Sequence, residues 1–229
     1  KNTITLNQMY QSYFSLAKMG IDYLLFRRGP LTMAPSQFGI FTKSDKRFDT
    51  PNIEFHIQPL SLDSFGKPLH KFPGLTVSVC NLRPLSRGTV SLSSSNPFDK
   101  PKIAPNYLSD YEDQQVAVES ILKARELMAT NEMAVFEPEE FLPGKHFIKS
   151  EELIQEAGKI STTIFHPVGT AKMGSDNDPM AVVNNKLKVR GFKNLRVVDG
   201  SVMPVITSGN THTPIVMIAE KASEMILND

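Results

Sequence analysis

The stretch that decides the fold is Ile53–Gln58, which reads IEFHIQ and has an apolar residue at every second position. Because successive side chains of a β-strand point to opposite faces, this alternation predicts a strand with one buried face and one polar face. Two later runs alternate in the same way. Since this pattern is typical of antiparallel sheets, we expect the runs at 53–60, 75–82 and 88–94 to form one antiparallel sheet.

Helical patterns flank these runs, with apolar residues three or four positions apart. Ser109 or Asp110 can cap the longest of the later helices. The stretches 30–52 and 161–192 show little periodicity and read as irregular, while 195–199 is a short apolar run that reads as a strand. Strands and helices together predict an α+β fold. The predicted helices are residues 6–26, residues 110–130, a short helix from Ser150 and a last helix from about Pro214 to Leu227.

Charge and composition exclude several classes of partner. The 229 residues include 25 Lys plus Arg and 24 Asp plus Glu, so we expect no nucleic-acid partner. No apolar run approaches the roughly 18 residues that a spanning helix needs, so no membrane span is predicted. The one cysteine, Cys80, excludes a disulfide framework and a zinc site of several thiolates, and we predict no metal site. A lone thiol fits a reducing compartment, so we expect a cytoplasmic protein.

The last predicted helix has the best-marked start in the sequence. Thr213 can cap it, and Pro214 at the first helical position loses no hydrogen bond. The free amides and partial positive charge of a helix N-terminus favour an anion or an electron-rich carbonyl. An ordinary capped core helix explains the same residues, so both interpretations stay open at this point.

A second candidate is the segment 165–174, which reads FHPVGTAKMG. Its histidine, His166, is restricted by the proline that follows it and lies in a glycine-containing loop. A histidine placed in this way suits acid–base chemistry near neutral pH. An exposed loop histidine without a function is the plainer interpretation of that residue alone.

Five motifs follow one another in order from about residue 83 to residue 226. They read PLSRGTVSL at 84–92 with PNYLSD at 105–110, HPVGTAKMG at 166–174, VNNKLKVRG at 183–191, NLRVVDGSVMP at 194–204, and SGNTHTP at 208–214 with AEKA at 219–222. In this order they resemble the glucose-methanol-choline (GMC) oxidoreductases, which are flavin enzymes that oxidise alcohols. Residues 1–82 match more loosely and look like part of that family's substrate domain.

The resemblance implies roles for individual residues in an enzyme that oxidises an alcohol by hydride transfer to FAD. His166 would be the base that takes the hydroxyl proton, and His212 would hydrogen-bond the substrate oxygen. Backbone amides near His212 and Thr213 would face the flavin pyrimidine carbonyl. The cofactor contacts that the resemblance implies are Asp199, Gly200, Asn210, His212, Thr213 and Pro214.

The resemblance also implies that the enzyme is incomplete. The family's FAD fold begins with a Gly-x-Gly-x-x-Gly turn, which this sequence lacks, so the chain corresponds to the C-terminal part, about two fifths, of a full enzyme. We expect residues 1–190 to belong to the substrate-binding domain, with the GMC C-terminal region starting at about 83. Residues 191–229 would be the C-terminal strand and helix of an incomplete FAD-binding domain. The expected partners are a small-molecule alcohol and the missing N-terminal FAD-binding segment.

Alternatives to this interpretation stay open. Without its FAD half the chain is expected to lack FAD and activity, which leaves a non-catalytic substrate-binding or interaction module of the same fold. A hydroxynitrile lyase with the same fold is a third interpretation, since such lyases use similar histidines. His56 shares the polar face of its strand with Glu54 and could line the active site or simply be solvated. Cys80 is expected to be a passive thiol.

Overall fold

The computed structural model describes residues 3–34 and 36–229. The chain forms two units, one from Lys1–Asn81 and Gln115–Ile160, the other from Leu82–Gln114 and Ser161–Asp229. The boundary expected at residue 190, between a substrate-binding domain and part of an FAD-binding domain, refers to the domains of a longer enzyme and stays a prediction. The helices are α1 Leu6–Gln11, α2 Tyr13–Phe26, α3 Tyr111–Met128, α4 Asn131–Ala134, α5 Ser150–Ile160 and α6 His212–Leu227, and the strands are β1 Phe38–Thr42, β2 Ile53–Gln58, β3 Thr76–Asn81, β4 Thr89–Ser91 and β5 Lys102–Ala104.

The first unit is built on a three-stranded antiparallel sheet in the order β1–β2–β3. The predicted strands at 53–60 and 75–82 are therefore confirmed as neighbours. β1 lies in the stretch that was expected to be irregular, where Gly39 interrupts a short apolar run. β1 is an edge strand that pairs with β2, with Phe38 opposite Ile57.

The expectation that the run at 88–94 joins this sheet is wrong. Its central residues form β4, which pairs with β5 in a separate two-stranded hairpin of the second unit. A Cβ added to Gly88 would lie 2.4 Å from the carbonyl oxygen of Ala104, so the two backbones approach closely where the hairpin begins. Alternation shows which residues share a face, but it does not identify the strand with which they pair.

The helix expected over 6–26 is divided at Ser12, which has an extended backbone. Its hydroxyl accepts a hydrogen bond from the Ser15 amide and so caps α2. Only Met19 of α2 is buried, whereas Tyr13 is 91% exposed and Leu24 is 69% exposed. The helical spacing therefore predicted the secondary structure correctly, but the apolar side chains are largely exposed in this chain.

Each unit has its own apolar core. In the first unit, Ile53 and Phe55 on one face of the sheet pack against Val116 of α3. In the second unit, the core is formed by α6 and the irregular segments before it, and its buried members are Val183, Leu187, Val202, Met203, Ile218 and Ala222. No helix among the described residues has the length and apolar character needed to cross a membrane.

The strand expected at 195–199 does not form within the described residues. That segment makes a single isolated bridge, between Arg196 and Lys188, instead of a ladder. A strand requires a partner along several residues, and here the neighbouring segment pairs at one position only.

Candidate active site

The segment that carries His166 is fixed by backbone hydrogen bonds to residues about 30 positions later in the second unit. The Ala171 amide donates to the Ser201 carbonyl at 3.0 Å, and the Met173 amide donates to the Val202 carbonyl at 2.8 Å. These bonds hold the two segments side by side. The irregular loop is therefore positioned by long-range pairing, although it contains no regular strand.

The backbone on both sides of His166 is constrained. Phe165 has φ +63°, an uncommon conformation for a bulky residue, and Pro167 restricts His166 to extended conformations. Gly169 has φ +85°, and a Cβ there would lie 3.3 Å from the Met203 carbonyl oxygen. His166 is half-buried and makes no hydrogen bond with any other described residue. Its imidazole nitrogens are therefore available to a bound molecule.

Asp199 and Gly200 form a tight turn beside the last helix. The exposed Asp199 carboxylate accepts a hydrogen bond from the Ser201 amide at 2.7 Å and begins a short 3₁₀ turn. Gly200 is buried, and a Cβ there would lie 3.1 Å from Cδ1 of Ile215 in α6. The absence of a side chain at Gly200 is what lets the turn pack against the first turn of α6.

The helix α6 begins two residues earlier than the sequence indicates. Thr211 is the N-cap residue, so Thr213 lies inside the helix and is not its cap, and Pro214 is the third helical residue. The sequence misleads because both threonines are suitable caps and proline is most common at the first position. Pro214 still removes no bond, because the first four amides of a helix have no intrahelical partner.

The first turn of α6 remains open to a ligand. His212 and Thr213 are exposed, no acidic side chain lies in the first turn, and the Thr211 side chain makes no capping hydrogen bond. Asn210 is exposed just before the helix. The free amides and the helix dipole therefore present positive potential at this end.

The structure brings three predicted segments together in the second unit. Both the His166 loop and the start of α6 contact the segment 199–203, which carries Asp199 and Gly200. A cavity shared by the imidazoles of His166 and His212 stays a prediction. Sequence reasoning missed Ser201 and Val202, whose carbonyls hold the loop, because a backbone acceptor leaves no signal in the choice of side chain.

These residues fit one end of FAD. Exposed amides at a helix N-terminus suit the electron-rich carbonyls of a flavin ring. Thr207, between the turn and the helix, has a buried hydroxyl without a hydrogen-bond partner among the described residues, which is a further polar group for a bound molecule. A glycine-rich turn for the pyrophosphate is not found in the sequence. The chain therefore offers groups for the flavin but few for the phosphates.

Outside this arrangement, Cys80 and Asp178 are two of the titratable groups whose pKa values are clearly shifted. Burial, with a smaller effect from the charge of Glu54, raises the pKa of Cys80 to about 11. At this pKa the free thiol is protonated near neutral pH. In the second unit, the hydrogen bond from Lys172 lowers the pKa of Asp178, and the Met180 amide lowers it further.

Comparison with known proteins gives the class to which this arrangement belongs. Residues 84–219, more than half of the chain, match the C-terminal model of the GMC oxidoreductases. The chain belongs to the GMC oxidoreductase family.

The relatives are similar along almost the whole chain. An alcohol dehydrogenase [acceptor] of Pseudomonas putida is 41% identical over 90% of this chain and 37% of its own length. An oxygen-dependent choline dehydrogenase of Vibrio vulnificus (strain YJ016) is 38% identical over 98% of this chain and 40% of its own length. The crystal structure of pyridoxine 4-oxidase from Mesorbium loti matches with a TM-score of 0.76 and 27% identity, over 85% of this chain and 38% of that one. The chain thus spans less than half the length of each relative.

Proposed function

We propose that this chain is the C-terminal part of an FAD-dependent oxidoreductase that oxidises an alcohol, with His166 as the base. The observation that carries the proposal is the packing of the His166 loop and the start of α6 around residues 199–203. These are the segments that bear the family motifs. The names of the Pseudomonas and Vibrio relatives, an alcohol and a choline dehydrogenase, support a small-molecule alcohol as the substrate class.

His166 and His212 have different roles at the substrate hydroxyl. One imidazole nitrogen of His166 accepts the hydroxyl proton, for which the absence of a competing hydrogen bond leaves it free. An imidazole N–H of His212 donates to the same oxygen and stabilises the negative charge that develops there. FAD, when bound, supplies the acceptor for the hydride that leaves the alcohol carbon.

The remaining site residues hold the cofactor. The amides of His212 and Thr213, with the dipole of α6 behind them, favour negative charge on the flavin, and Pro214 fixes the backbone of that turn. Asp199 and Gly200 would contact the pyrophosphate and ribityl chain of the cofactor, and Asn210 would be a further cofactor contact. A separate N-terminal segment grips the pyrophosphate, so residues 1–229 alone bind FAD weakly or not at all. The proposed location of the enzyme is the cytoplasm.

The test uses the enzyme that contains this chain together with its FAD-binding segment. Anaerobic stopped-flow spectroscopy measures flavin reduction by a series of alcohols, including choline. We expect His166→Ala to slow flavin reduction by about 10²–10⁴-fold, the usual range for a positioned general base. This is about 3–5 kcal/mol of transition-state stabilisation. His212→Ala should cost less, and His212→Asn less again, because an amide keeps a donor.

His146→Ala is the matched control, since His146 is exposed in the first unit and packs on Phe147. It should leave the rate unchanged. Flavin reduction by His166→Ala at the wild-type rate contradicts the assignment of the base. A wild-type enzyme whose flavin no alcohol reduces contradicts alcohol oxidation itself and favours the lyase or the non-catalytic module.

A further inference from the structure

A second group of chemically active side chains lies in the first unit, on the polar face of the three-stranded sheet. Glu54 and His56 are two residues apart on β2 and therefore share a face. Cys80 on β3 is directly opposite Glu54. One ligand atom from each of the three, a carboxylate oxygen, an imidazole nitrogen and the thiol sulfur, lies within 4.8 Å of the other two.

These polar atoms are buried without complete compensation. Glu54 is only 4% exposed, and within the described residues its carboxylate has one ion-pair partner, Nε2 of His56 at 3.5 Å. That nitrogen is itself buried and has no hydrogen-bond partner among the described residues. A buried carboxylate and a buried nitrogen without a hydrogen bond both cost free energy, which a cation placed between them would recover.

We propose that Glu54, His56 and Cys80 bind a Zn²⁺ ion. Zinc takes thiolate, imidazole and carboxylate ligands at about 2.0–2.3 Å, so the donors of a tetrahedral site lie about 3.3–3.8 Å from one another. The Glu54 and His56 atoms already have this separation, and the sulfur needs a shift of about 1 Å at most. On binding, the Cys80 thiol releases its proton to solvent and the sulfur bonds the metal as a thiolate.

The neighbouring strand leaves space beside the three ligands. The residue of β1 opposite His56 is Gly39, and a Cβ placed there would lie 3.7 Å from Oε1 of Glu54. Because no side chain projects from this position, a water molecule can take the fourth place in the coordination shell. The mixed sulfur, nitrogen and oxygen donor set selects zinc over Mg²⁺ and Ca²⁺, which prefer oxygen ligands only.

The test is metal binding by residues 1–229, purified without a tag and freed of metal. We expect it to bind one equivalent of Zn²⁺, and Co²⁺ used as a probe should give the thiolate charge-transfer band and the strong visible bands of a tetrahedral site. Cys80→Ser and His56→Gln should each weaken zinc binding by more than about 100-fold, because loss of an outer-shell partner alone costs 10–100-fold. His70→Gln is the control, since both ring nitrogens of His70 already contact side chains, Ser61 and Asp63.

A measurement on the unaltered chain guards against variants that fold poorly. Cys80 is the only thiol, so its alkylation by iodoacetamide can be followed directly. Zn²⁺ should slow this reaction at least tenfold, whereas Mg²⁺ at the same concentration should not. The proposal is overturned if zinc leaves the alkylation rate unchanged, if bound Co²⁺ shows no thiolate band, or if Cys80→Ser binds zinc as tightly as the unaltered chain.

Discussion

His56 and His166, the histidines that carry the two proposals, are held in opposite ways. His56 lies in the middle of a regular sheet, where the register of β2 and β3 fixes its neighbours. His166 lies in a loop with no regular structure, and bonds to the backbone of Ser201 and Val202 hold the segment that follows it. A periodic pattern can reveal the first arrangement but not the second. The two regions should therefore respond differently to the same type of substitution.

The largest stability effect should come from the regular sheet. Ile53→Ala removes a fully buried side chain from β2, and we expect it to lower the free energy of unfolding by about 2–5 kcal/mol, since it loses buried apolar surface and leaves a cavity. Urea denaturation followed by circular dichroism measures the change.

Ile103→Ala is the matched control. Ile103 is also an isoleucine in an antiparallel strand, β5, but it is 67% exposed in the separate hairpin. We expect a change within about 0.5 kcal/mol. If the two substitutions destabilise the chain equally, then Ile103 in β5 is buried as deeply as Ile53 in β2, and the division between the sheet and the exposed hairpin is wrong.

The irregular region should respond to backbone crowding instead. A Cβ added to Gly174 would lie 2.8 Å from both the Ala181 Cβ and Oδ2 of Asp178. Since one of these atoms is a β-carbon fixed to the backbone, we expect Gly174→Ala to cost about 1–3 kcal/mol. The same urea titration measures it.

Gly158→Ala tests whether crowding is the cause. Gly158 lies in α5, and an added Cβ would meet nothing within 4 Å. Alanine in a helix interior is preferred to glycine by about 0.5–1 kcal/mol, so this variant should be more stable than the unaltered chain. If Gly174→Ala stabilises the chain as Gly158→Ala does, close packing does not hold the loop at Gly174.

The contrast also explains what the sequence could predict. Alternation predicted β2 and β3, and helical spacing predicted α3, because in each case local periodicity reflects one buried face. The pairing of β4 with β5 could not be predicted from the sequence, since it depends on the close approach of the backbones at Gly88 and Ala104. The position of Cys80 opposite Glu54 could not be predicted, because it depends on the register between two strands joined by a 17-residue connection.

The candidate active site was found by its motifs and not by its periodicity. The proline after His166 and the glycines around it indicated a constrained loop, but only the resemblance to a family connected that loop with residues 208–214. The start of α6 was misplaced by two residues because Thr211 and Thr213 are chemically alike. Side-chain chemistry alone does not distinguish the two threonines as caps, and the exact first residue of a helix is uncertain by one or two positions in any case.

The smallest effect concerns charge within the same irregular region. Nζ of Lys172 lies 2.8 Å from Oδ2 of Asp178, and this contact holds the pKa of Asp178 below its usual value. Because the folded-state pKa is depressed, the ionised carboxylate stabilises the fold above the unfolded pKa of about 3.9, and this stability is lost as the pH falls through the folded pKa. We expect Lys172→Met to lower the melting temperature slightly at pH 7. The difference from the unaltered chain should shrink as the pH falls and Asp178 becomes protonated in both proteins.

Lys186→Met is the control, because it removes an exposed lysine with no ion pair among the described residues. Its melting temperature should differ from that of the unaltered chain by the same amount at every pH. A Lys172→Met difference that stays constant from neutral to acid pH would show that the ion pair contributes nothing and that packing alone holds the loop.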